Sequence, residues 1–77
     1  MKKKTDESSR YDIVTADWIR EQILDLKLSD TVVADEMEIT RADLSAYKTG
    51  YKPLSAVRKQ VFFYYFYFKS AHKAWQE

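Results

Sequence analysis

The chain has 77 residues with no cysteine, one histidine, one glycine and one proline, which allows a single domain and excludes disulfides and a cysteine-built zinc site. Its net charge of +1 excludes little, but the charge is segregated: residues 1–4 carry +3, residues 5–38 carry −7 and residues 39–77 carry +5. A basic second half behind an acidic first half suits a polyanion partner, and a chance segregation of solvated charge accounts for it equally well.

Residues 1–10, MKKKTDESSR, are polar and aperiodic and are expected to form a mobile tail ahead of one domain over 11–77. No apolar core follows the lysines of Met1-Lys2-Lys3-Lys4, so this is not expected to be a secretory signal, and no apolar run reaches the length of a membrane span. The expected location is cytoplasmic, and nucleoid-associated if the chain binds DNA. A chain this short is near the lower limit for folding alone, so its stability must come from a dense core or from a partner chain.

The first predicted helix covers 15–27. Thr15 can cap it, Asp17 suits its dipole, and Ala16, Ile19, Ile23 and Leu26 recur at helical spacing. Ser29 or Asp30 opens a second helix over 30–37, with Val33, Ala34 and Met37 inward. Thr40 caps a third over 40–48, where Asp43 is placed to answer the cap and Leu44 and Tyr47 face the core. Gly50 and Pro53 form the strongest break in the chain. A fourth helix is expected over 54–74. Its middle, Val61 to Phe68, is β-prone by composition, but Leu54, Val57, Val61, Tyr64, Phe68, Ala71 and Trp75 repeat in alternating steps of three and four. That stripe is expected to pack on helices one to three. The fold class is therefore all-α: a small four-helix domain with a central helix-turn-helix and a long aromatic-rich C-terminal helix.

The window Asp30 to Gly50 is the most informative. Two short helices must meet steeply across a turn of three or four residues. Ala34 is small where the helices cross, Ile39 plugs the turn, Thr40 caps the next helix, and Leu44 and Tyr47 anchor it. The joint spacing of Ala34, Ile39, Thr40, Leu44, Gly50 and Pro53 resembles the Cro/lambda-repressor-like family of helix-turn-helix domains, the xenobiotic-response-element type. The resemblance covers residues 15 to about 60. Three features depart from it. Glu38 stands where the family usually has glycine in the turn, Asp30 stands where it often has glutamine touching phosphate, and an aromatic segment replaces the usual aliphatic last helices.

The resemblance implies a sequence-specific duplex DNA-binding protein, a small transcriptional regulator of the phage or mobile-element repressor type. Its third helix would lie in the major groove. Carried over by position, Arg41, Ala42, Ser45, Ala46 and Thr49 would face bases, with Arg41 able to pair with guanine. Thr40, Lys48, Tyr51 and Lys52 would hold phosphates. Each also has a plainer reading: Arg41 as a solvated first-turn charge, Asp43 as a cap partner, Lys48 and Lys52 as ordinary exposed lysines, and Tyr51 as packed on the domain.

One helix cannot hide seven consecutive aromatics against one small domain. Phe62, Tyr65 and Phe66 are expected to be left over, partly covered by Trp18 and Leu24, and to form a homodimer interface. The rival function is a helix-turn-helix scaffold that binds protein through the aromatic helix. A single-strand stacking platform fits poorly, because the basic residues flank the aromatic run without interleaving. There is no nucleophile–histidine–carboxylate grouping, Gly-rich phosphate loop or metal box, so no enzyme activity, cofactor or small-molecule ligand is expected.

Overall fold

The computed structural model describes residues 10–76, with side chains described over 10–71. Four helices follow one another, α1 (Ala16–Asp25), α2 (Asp30–Met37), α3 (Arg41–Thr49) and α4 (Ala56–Gln76), and there is no strand among the described residues. The expected tail falls almost wholly outside them, and Trp75, the last member of the expected stripe, lies where side chains are not described. Among the described residues no helix is long and apolar enough to cross a membrane.

Helix starts follow one rule. Thr15, Ser29 and Thr40 each accept a hydrogen bond from the backbone N–H three residues on, at Trp18, Val32 and Asp43, over 3.0–3.1 Å. Each such cap contributes about 1 kcal/mol. Ser55 does the same for α4, accepting from the Arg58 N–H at 3.1 Å, which is why α4 begins at Ala56 and not beside Pro53.

Helix ends follow another. After α1 the chain turns left-handed at Lys27 (φ 55°), after α2 at Glu38 (φ 59°), and after α3 at Gly50 (φ 83°). Leu28 N–H then reaches back to Ile23 O and Ile39 N–H to Ala34 O, both at 3.0 Å, closing orphan carbonyls. Gly50 suits its position because it has no Cβ to clash. Lys27 and Glu38 hold the same conformation at a cost of about 1 kcal/mol each.

The buried core is Val14, Ile19, Ile23, Val33, Ala34, Leu44, Tyr47, Phe62 and Phe66. Val14 enters it from the turn before α1, where its N–H bonds Tyr11 O at 3.0 Å. Trp18, Leu26, Met37, Ile39, Leu54, Phe63 and Tyr65 pack around it half-buried.

The rotation of α4 corrects the sequence expectation. Phe62 and Phe66 are core residues, stacked on each other at 6.1 Å, with Tyr47 against Phe62 at 5.6 Å and Trp18 against Phe66 at 5.6 Å. Tyr65 is half-buried and its hydroxyl donates to Glu36 Oε1 at 2.7 Å. These three therefore do not form a free dimer face. Val57, Val61, Tyr64 and Phe68, expected inside, are exposed, and so is Leu24, expected to help cover the aromatics. The reason is volume and polarity. The space between α1 and α3 is filled by two phenyl rings without hydroxyls to satisfy, and the basic residues beside them reach acids on the domain, Lys69 to Glu36 at 2.8 Å and Lys59 to Asp12 at 3.9 Å.

Candidate nucleic-acid interface

The outer side of α3 and the loop after it form one surface. Leu44 and Tyr47 point inward, so residues one and two positions either side of them must point out. Ala42, Ser45, Ala46 and Thr49 line an open depression of about 600 Å³ together with Asp43, Tyr51, Lys52 and Pro53. The structure thus brings together four of the residues expected at bases and two of those expected at phosphates. Arg41 and Thr40 lie at the N-terminal end of the same helix, where Arg41 is exposed. Two alanines and a serine keep the floor of the depression shallow, and Tyr51 stands at its rim, 87% exposed. Tyr51 does not pack on the domain.

The charges on this surface are less open than the sequence suggests. Lys48 Nζ bonds both carboxylate oxygens of Asp30, at 2.8 and 3.0 Å, so the acid that departs from the family pattern neutralises an expected phosphate contact. Lys52 Nζ lies 3.3 Å from Asp43 Oδ1, and Asp43 therefore turns its carboxylate to the loop while its N–H takes the Thr40 cap. Lys52 and Arg58 also flank the Tyr47 ring at 5.5 and 5.6 Å, which ties the end of α3 to the start of α4. Arg20 bonds Asp17 and the carbonyl of Lys48, holding the C-terminal end of α3 against α1. Thr49 donates its hydroxyl to Ala46 O at 3.3 Å. Among the described residues no carboxylate lies within ion-pair distance of Arg41, which is exposed.

These pairs are exposed enough to be weak, worth about 0–1 kcal/mol each, so a phosphate could displace either acid as a lysine's partner. The Asp30–Lys48 pair depends on how the start of α2 meets the end of α3, and the sequence carried no local signal for it. The Asp43–Lys52 pair depends on the path of the loop after Gly50 and left no such signal.

A second polar cluster lies away from this surface. Glu36 on α2 accepts from Tyr65 and from Lys69 on α4 at 2.7 and 2.8 Å. The Lys69 ammonium and then the Tyr65 hydroxyl hold the Glu36 carboxyl below its ordinary value of 4.5. Burial first, and then Glu36, push the Tyr65 phenol well above its ordinary value of 10.0. The cluster clasps α4 to α2 and has the makeup of a structural tie. Among the described residues no three His, Asp or Glu side chains converge as metal ligands. No protein-family model matches this chain, and no curated protein or solved structure matches it either.

Proposed function

We propose that this chain binds duplex DNA, with α2 and α3 as a helix-turn-helix and α3 entering the major groove. One observation carries the reading: a shallow surface of Ala42, Ser45, Ala46 and Thr49 on one helix face, rimmed by Tyr51 and Lys52. A helix that reads base edges needs short side chains along its middle and a long donor at its N-terminal end. Arg41 is that donor. Lys48, Lys52 and the Thr40 hydroxyl flank it at phosphate positions, where they give affinity more than sequence choice. A small DNA-binding regulator of the repressor type is the role that fits.

The paired lysines make the expected non-specific affinity modest, and the rival remains a scaffold that binds protein through the aromatic helix. Retardation of a generic duplex separates the two. Binding is expected at about 1–100 μM protein in low salt and should fall steeply as salt rises, through counterion release. A complete absence of retardation at low salt overturns the reading. Asp30→Asn, which frees Lys48, is expected to tighten binding and steepen the salt slope by about one. Arg41→Ala is expected to cost about 1–3 kcal/mol on a selected site and much less on random sequence.

A further inference from the structure

We infer that the outer face of α4 is a self-association surface, and that a second copy of this chain packs on it through Val57, Val61, Tyr64 and Phe68. At about 100° per residue, these four lie within about 40° of one line along the helix. Phe62 and Phe66 fall about 140° and 180° away from Val57 on the same wheel, so one helix carries two apolar stripes on opposed faces. The inner stripe is filled by the domain. The outer one stays exposed: Val57 is 70%, Phe68 65% and neighbouring Tyr67 66% accessible.

Three features make a copy of the same chain the fitting occupant. The first is spacing. The steps 57–61–64–68 alternate four and three, and exposed Ala71 extends them. That is the repeat by which two identical helices interlock side chains, and a twofold axis makes such a stripe complementary to itself. The second is charge. Arg58 lies over the Tyr47 ring, Lys59 reaches Asp12, and Lys69 reaches Glu36. The described α4 cations are thus drawn toward the domain, and among the described residues of α4 none puts a charge on this face. The third is area. Taking about 200 Å² for a Tyr or Phe, the exposed parts of Tyr64, Tyr67, Phe68 and the two valines amount to roughly 500 Å² per chain, or about 1,000 Å² for a pair, the size at which specific interfaces begin. Tyr64 also holds the Tyr11 hydroxyl at 2.9 Å, which fixes its ring at the edge of the stripe. Pairing here leaves α3 uncovered, because Tyr47 of α3 meets α4 on the opposite, Phe62 side.

The test is sedimentation equilibrium of the full chain from about 1 to 100 μM. The chain is expected to reach twice its 9.2 kDa mass within that range. Val61→Glu with Phe68→Glu should weaken pairing at least about a hundredfold, since each charge would be buried without a partner. Both positions are exposed, so helical circular dichroism should be retained, and should the double variant unfold, Phe68→Glu alone decides. A wild-type chain still monomeric at about 100 μM overturns the inference, as does a folded charged variant that dimerises like wild type. The readout is mass, so the result stands apart from whether the chain binds DNA.

Discussion

Phe66 and Phe68 sit two residues apart on α4 and meet opposite fates. Phe66 is 1% exposed, against Trp18 and Phe62, while Phe68 is 65% exposed. The same contrast separates Phe62 from Val61. Apolar chemistry alone therefore does not decide which face of this helix becomes core. What decides it is what the rest of the domain offers: an apolar gap between α1 and α3 that takes two stacked phenyl rings, and acids on either side that hold Lys59 and Lys69. The outer face has the same residue types and stays exposed.

The largest expected effect tests that contrast directly. Phe62→Ala or Phe66→Ala should cost about 3–5 kcal/mol, through lost burial and the cavity left behind. Val61→Ala, in dilute solution where any pair is dissociated, should cost less than about 0.5 kcal/mol. Urea midpoints of the variants measure both. Equal losses at Phe66 and Val61 would mean that α4 is rotated from the arrangement described.

A second effect sharpens the comparison by leaving α4 untouched. Gly50→Ala should destabilise by about 1 kcal/mol, because its φ of 83° is disfavoured for any residue with a Cβ. Glu38→Gly should stabilise by about 0.5–1 kcal/mol for the converse reason. The difference between the two faces of α4 should persist unchanged in either background.

The helical layout was legible because it rests on local chemistry. Thr15, Ser29 and Thr40 announce three helix starts, and Ile19, Ile23, Val33, Ala34, Leu44 and Tyr47 keep a helical spacing that leads into the core. The outer surface of α3 followed from the same phase. The rotation of α4 was not legible from periodicity, because every residue from 61 to 68 is apolar and the run carries no phase of its own. The phase came instead from Leu54, Val57 and Ala71, of which Val57 and Ala71 lie on the exposed side. The hydroxyls carried only part of it: Phe62, Phe63 and Phe66 turn inward and Tyr64 and Tyr67 turn out, but Phe68 turns out as well and Tyr65 is half-buried. Val14 was missed because it precedes the first helix and belongs to no stripe, and the Lys52–Asp43 pair because it depends on a loop path.

The smallest expected effect lies at the border between the two faces, where Tyr65 and Lys69 reach Glu36. Glu36 has its carboxyl lowered from 4.5, so its contribution is full above that pH and is lost as pH falls through the lowered value. Tyr65 has its phenol raised from 10.0, so its contribution is full below that pH and is lost as pH climbs toward the raised value. Thermal midpoints across pH should therefore decline at both extremes. Glu36→Gln should flatten the acid limb that this pair supplies, and Tyr65→Phe the alkaline one. An unchanged acid limb in Glu36→Gln would show that the clasp contributes nothing.

The most direct test of the functional assignment follows backbone amide shifts of the full chain while a duplex is titrated in at low salt. If α3 enters the groove, shifts concentrate at residues 40–52, largest around Arg41 and Ser45, with Val61, Tyr64 and Phe68 nearly unmoved. Shifts centred on the outer face of α4, or none anywhere, would contradict that assignment.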